Sequence, residues 1–185
     1  MDKNKVESLI RELLLEIEGN STLREETLKT PKRVANAYSE IFNGYEQDLE
    51  EDITLFKASY SEIIISKDIK FYSMCEHHIL PYFGKVDIAY IPNDYILGIS
   101  KFARIVNYFS HRLNVQERMT DDIANYIMNC NLKPKGVMVI VKGTHLCEIM
   151  RGVKEPNPVM ITSAIKGIFK ENIATRNEAL QLLKI

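Results

Sequence analysis

The sequence predicts an α+β domain whose antiparallel sheet is covered on one face by helices. Three observations predict it. The apolar period changes from helical to strand-like near residue 62. Two strand pairs then flank a pair of helices, and residues 1–55 read as helices. Hairpins separated by a helical pair suit an antiparallel sheet better than a parallel one. The division expected is an N-terminal helical region over 1–55 and a sheet-bearing unit over 56–185.

Val6, Leu9, Ile10, Leu13, Leu14 and Ile17 form one helical stripe, and Gly19-Asn20 ends it. Thr22 with Glu25 reads as the cap of a short second helix. Thr30-Pro31 reads as the cap and first position of a third, which buries Val34, Tyr38, Ile41 and Phe42 and stops at Asn43-Gly44. The acidic run 48–52 reads as a solvated linker.

Glu62–Phe71 is rich in isoleucine and aromatic residues and reads as a strand leading to Cys75. Pro81 and Gly84 mark a turn, and Gly84–Ile91 is the second strand, closed by Pro92-Asn93-Asp94. Ser100 can cap a helix that buries Phe102, Ile105, Val106, Phe109 and Leu113. Thr120, followed by Asp121 and Asp122, suits the start of another, burying Ile123, Ile127 and Met128. Gly136–Cys147 returns to strand, with Val137, Val139 and Val141 on one face. Pro158–Phe169 is a fourth strand, and Thr175 with Glu178 caps a last helix through Leu183.

The charge is nearly balanced, 24 basic against 25 acidic residues. No global basic field exists for nucleic acid or an anionic membrane, so an anionic ligand must be held by local charges. Three cysteines do not make a secreted disulfide framework. No run approaches the ~20 apolar residues of a membrane span, and the charged N-terminus lacks a signal-peptide core. The expected location is the cytoplasm.

The chemistry concentrates in Cys75-Glu76-His77-His78. Cys75 and His78 have a spacing that lets both grip one tetrahedral ion. Cys147 is the nearest further thiolate. Three protein ligands leave the fourth zinc position for water, which is a catalytic arrangement. His145, two before Cys147, would share its face on an unbroken strand. His77 and His145 are then free imidazoles suited to moving protons. A lone C-x-x-H is weak. Here three of four histidines and two of three cysteines gather in two short segments.

Lys101 and Arg104 lie three apart at a helix start, where free N–H groups also favour anions. Arg151 and Arg33 are further cations. Gln116-Glu117 pairs an amide with a carboxylate, a combination that can read a guanine-like edge.

Together these residues resemble the GTP cyclohydrolase I family. The matching segments are TPKRVANAY (Thr30–Tyr38), SMCEHHILPYFGK (Ser73–Lys85), IAYIP (Ile88–Pro92), GISKFARIV (Gly98–Val106), VQERMT (Val115–Thr120) and THLCEIMRGV (Thr144–Val153). The resemblance implies conversion of GTP and water to 7,8-dihydroneopterin triphosphate and formate, the opening of folate and pterin synthesis. It implies zinc on Cys75, His78 and Cys147, with His77 and His145 as the acid/base pair. Ser100, Lys101, Arg104, Arg151 and Arg33 would hold the triphosphate and ribose. Gln116, Glu117 and the backbone near Ile99 would read guanine, and Glu76 joins the substrate-contacting set. It further implies the tunnelling fold, a ββααββ unit, in a homo-oligomer, commonly a decamer of two pentamers with sites between subunits.

Two positions depart from that pattern. Asn36 stands where many members carry lysine, which weakens one triphosphate contact. Glu148 replaces an apolar or small residue, and on a continuous strand it would face away from the ligand. Two other classes compete, a non-catalytic purine- or pterin-binding oligomer and a zinc-stabilised scaffold. The first predicts loss of a zinc ligand or of the free histidines, and none is lost. The second predicts four protein ligands.

Overall fold

The computed structural model describes residues 1–49 and 53–184. In chain order the elements are α1 (Lys3–Glu18), α2 (Thr30–Ile41), β1 (Leu55–Lys57), β2 (Ile64–Cys75), β3 (Pro81–Ile91), β4 (Tyr95–Leu97) and α3 (Ile99–Ser110). Then follow β5 (Leu113–Asn114), α4 (Gln116–Asn129), β6 (Gly136–His145), α5 (Leu146–Ile149), β7 (Met160–Gly167), α6 (Ile168–Glu171) and α7 (Ile173–Lys184). One sheet runs β5-β2-β3-β6-β7, antiparallel except where β5 joins β2, and β1 pairs with β4 in a separate ribbon. The α+β class is as expected.

The alternation of β3 and β6 decides what covers the sheet. Val86, Ile88 and Tyr90 share a face with Val137, Val139 and Val141, and all pack on Phe102, Ile105 and Val106 of α3 and Met119, Ile123 and Ile127 of α4. Burying such a side chain is worth roughly 1.5–3 kcal/mol. The opposite face is not left bare. Ala89 and Met138 pack against Phe169, Ala179 and Leu183, so helices lie on both faces rather than on one.

Several local expectations shift for physical reasons. Pro81 begins β3, and Gly84 lies inside it, where a Cβ would stand 1.9 Å from the Lys142 carbonyl oxygen. That glycine permits close strand contact, and the turn falls on residues 76–80 instead. Helix α4 begins at Gln116, before Thr120. Thr120 is buried inside it, donating to the Gln116 carbonyl at 2.7 Å. Strand β6 stops at His145, and Cys147 sits in the helical turn α5. Leu113 belongs to β5, which pairs with Met74 and Cys75.

Hydroxyl caps were over-read. Helix α3 starts from Gly98 and α2 from Lys29, both without a side-chain cap, and Asn172 accepts from the Thr175 amide at the start of α7. Thr22 precedes a 3₁₀ turn at Glu25–Thr27 that has no side-chain cap. Helix α1 is capped as α-helices commonly are, by Asp2 at one end and Gly19 at φ 63° at the other. In α2 the buried residues are Pro31 and Ala35, with Val34, Tyr38, Ile41 and Phe42 half-buried. Positions 50–52 of the acidic run lie outside the described residues. Within that run Leu49 is buried in the core.

Candidate metal centre and active site

The sheet brings the two halves of the centre together. Cys75 ends β2, the hairpin turn carries Glu76, His77 and His78, and β6 delivers His145 and then Cys147 beside them. Hydrogen bonds fix the turn. The Cys75 amide donates to Leu80 O at 2.9 Å, the Ile79 amide to Cys75 O at 2.8 Å, and the Glu76 amide to Asn114 O at 3.1 Å. Ile79 adopts φ 51°, a left-handed conformation that costs a β-branched residue about 1–3 kcal/mol.

One ligand atom from each of Cys75, His78 and Cys147 lies within 4.8 Å of the others. Cys75 Sγ is 3.8 Å from His78 Nδ1. In a tetrahedral zinc site with bonds near 2.3 Å the donors stand about 3.8 Å apart. Two thiols and an imidazole in this spacing fit zinc, and the fit needs only small side-chain movement. Cys75 is buried, Cys147 half-buried and His78 exposed, so the site is open to solvent on the histidine side. Burial, and then the neighbouring Cys75, push the Cys147 thiol above its ordinary value.

The free imidazoles differ in setting. His77 is largely exposed, with Nε2 3.9 Å from Glu76 Oε1. Glu76 is itself paired with Arg118 of α4. His145 is half-buried, stacked on Tyr82 at 4.4 Å between ring centroids and 8° between planes. Its Nε2 is 3.0 Å from Gln116 Oε1. Burial lowers the His145 pKa, while Glu148 and Glu117 oppose the shift. Glu148 sits in the helical turn α5 and not on a continuous strand, so the alternation that would turn it away does not apply. The helical turn α5 leaves it close enough to act on His145.

Gln116 is fully buried, 0% exposed, and its Nε2 faces Val141 O, Met160 O and Thr162 Oγ1 at 3.2, 3.0 and 3.1 Å. Every polar atom of that amide is engaged within the chain. Its expected role in reading guanine has no free group to rest on here. Arg151 Nη1 lies 2.9 Å from His78 Nε2, at the edge of the cysteine–histidine cluster.

The other expected substrate contacts stand elsewhere. Ile99, 89% exposed, Ser100, Lys101 and Arg104 occupy the first half of α3. A cleft of about 590 Å³ runs along Thr54, Phe56 and Leu97 to Ile99, Ser100 and Lys101. Beyond the other end of α3, Arg112 O accepts from Ser73, two residues before Cys75. From Lys101 to Ser110 the helix runs about 14 Å, so Lys101 lies toward the opposite end of α3 from the Ser73 contact. Arg33 is exposed on α2, which packs against α1.

Tyr82 and Arg118 were not foreseen. The alternation Tyr82, Gly84, Val86, Ile88, Tyr90 did carry the signal for Tyr82, because it places the ring on the core face across from β6.

Residues 6–184 match the family model described as GTP cyclohydrolase I. A Clostridium kluyveri protein named GTP cyclohydrolase 1 is 45% identical over all of both chains. One of that name from Carboxydothermus hydrogenoformans is 46% identical, covering 99% of this chain and 95% of its own. A third, from Wolinella succinogenes, is 48% identical over 86% of each. A match over nearly the whole length, to a family model and to relatives 45–48% identical, makes this chain a member of the GTP cyclohydrolase I family of enzymes.

Proposed function

We propose that the chain converts GTP and water to 7,8-dihydroneopterin triphosphate and formate at a zinc centre held by Cys75, His78 and Cys147. The observation that carries this is the convergence of those three donors beside His145. When bound, zinc supplies a Lewis acid that brings the pKa of a coordinated water to about 7. The protein's own groups do the rest. His145, its pKa lowered by burial, is a ring held ready to take or return a proton. His77, exposed on the turn, exchanges protons with solvent and with substrate nitrogen. Glu117, rather than the occupied Gln116, supplies the side-chain contact to the guanine N–H edge, with backbone at Ile99. Lys101, Arg104, Arg151, Arg33 and Ser100 hold the triphosphate, each charge-assisted bond being worth roughly 1.5–3 kcal/mol. Glu76 acts near the substrate through its pairing with Arg118.

The same reading makes residues 56–185 a tunnelling-fold catalytic unit and 1–55 a helical region, a boundary that falls inside β1. The order β2, β3, α3, α4, β6, β7 supports it. It also makes the enzyme a cytoplasmic homo-oligomer, a decamer of two pentamers with sites between subunits. Three features support assembly. Lys101 and Arg104 lie in the first half of α3, whereas the segment after its other end meets Ser73 near Cys75. Neither β7 nor residues 64–73 of β2 have an outer strand partner among the described residues. Leu9, Leu13 and Ile17 of α1 are exposed in the single chain. No described helix is long and apolar enough to cross a membrane.

The test is turnover of GTP by the zinc-loaded protein, followed as formate release and as pterin fluorescence after oxidation, with a chelated control. Equal formate and pterin, both lost with the metal, support the proposal. Bound GTP with neither product would favour a non-catalytic purine-binding role.

A further inference from the structure

Gln116 holds no contact with solvent, yet one of its atoms meets a side chain of the active site. The geometry points to Gln116 as a positioning residue that fixes the ring orientation of His145 and leaves Nδ1 as that ring's acceptor. This inference rests on the reading of His145 as an acid/base group.

A closed circuit of hydrogen bonds determines which way the amide faces. Thr120 Oγ1 donates to the main-chain carbonyl of Gln116 at 2.7 Å, which uses its only proton. The 2.6 Å contact between Thr120 and Thr162 hydroxyls must then be donated by Thr162. Thr162 is thereby left as an acceptor for Gln116 Nε2, alongside the carbonyls of Val141 and Met160. Three acceptors surround the amide nitrogen. A reversed amide would set its oxygen against all three, so Oε1 must face His145. An amide oxygen only accepts, and His145 Nε2 therefore carries a proton. In a neutral imidazole the lone pair then resides on Nδ1.

Two further features hold the pair. The Tyr82 ring, 8° from parallel, fixes the imidazole plane. Gly143 makes room for the contact, since a Cβ there would stand 2.1 Å from Gln116 Oε1 and 3.5 Å from His145 Nε2. The φ of Gly143 is not in the positive range, so alanine meets no backbone objection there. Its effect falls on the amide.

The experiment uses full-length, zinc-loaded protein labelled with ¹⁵N-histidine, read by solid-state NMR. The variants are Gln116→Met and Gly143→Ala, and the His145 signal is assigned by its loss in His145→Ala. In the parent, His145 is expected as a single form with its proton at Nε2 facing Gln116 Oε1. Both variants are expected to keep zinc and to show mixed His145 tautomers. Their kcat should fall by about 10²-fold, with KM for GTP within about threefold. Their preference for GTP over the analogue lacking the 2-amino group should not change. If Gln116→Met does not fold, Gly143→Ala decides alone. A His145 spectrum unaltered by Gly143→Ala, or a raised KM with altered preference between the two nucleotides, overturns the inference. The tautomer result stands whether or not GTP is turned over, so failure here is separable from failure of the proposed activity.

Discussion

His145 lies flat on Tyr82, with ring centroids 4.4 Å apart, and the two are register partners across β3 and β6. Tyr82 is fully buried, and its hydroxyl meets Met119 Sδ at 3.7 Å. Burial pushes its pKa up to about 12, so the phenol stays neutral through any ordinary assay. Tyr82→Phe should therefore leave turnover within about threefold, because the stack survives. Tyr82→Leu should cost about 2–4 kcal/mol of stability and lower kcat with zinc retained. Thermal melts beside steady-state kinetics check both. Equal kinetics in the two variants would mean that the stack does not matter.

Cys147 and His145 should separate by metal content. Cys147→Ala is expected to lose both zinc and turnover. His145→Ala is expected to keep zinc while losing ~10²–10⁴ in rate. Elemental analysis of the purified variants decides, and equal zinc loss would contradict this division of roles.

Zinc uptake should release protons and weaken as pH falls. A thiol must deprotonate to ligate, and the Cys147 thiol sits above its ordinary value. The sign follows directly: a raised pKa means more protonated thiol at neutral pH, so more protons to displace. Calorimetry in buffers of different ionisation enthalpy should give about two protons per zinc near neutral pH. Release of none would remove the thiolates from the coordination set.

Mixing should repair what neither variant can do alone. Lys101→Ala and Cys147→Ala damage groups that one chain carries on different elements, Lys101 near the start of α3 and Cys147 in α5. If sites form between subunits, co-assembled mixtures contain some sites with neither lesion. Activity should recover to an appreciable fraction of the parent's after co-refolding. A mixture as inactive as its components would argue for sites within single chains.

Gly84→Ala should be poorly tolerated. The added carbon would meet the Lys142 carbonyl oxygen, a backbone atom that cannot step aside. A loss of at least about 1–3 kcal/mol is expected, read as a lowered denaturation midpoint.

Much of this architecture was legible from residue patterns, because alternation and helical stripes are long-range averages. Val137, Val139 and Val141 announced a buried face and occupy one. The three donors were legible because cysteine and histidine rarely cluster. What escaped was short or indirect. The ribbon of β1 with β4 involves three residues on each side, too few to show a period. Caps were over-read because threonine and serine suit several local roles, and Thr120 uses its hydroxyl inside a helix. Gln116 beside Glu117 reads in the sequence as an amide able to meet a guanine-like edge. Only the packing of β7 against α4 reveals that its amide is spoken for.

The turn bearing His77 and His78 is a borrowed shape. Ile79 sits there against its own conformational preference, held by amides and carbonyls of Cys75, Leu80 and Asn114. A synthetic peptide copied from residues 73–82 would relax to an ordinary bend and part its cysteine from its histidine. Transplanting the centre into another scaffold thus means carrying two strands and the Asn114 segment, not a four-letter motif.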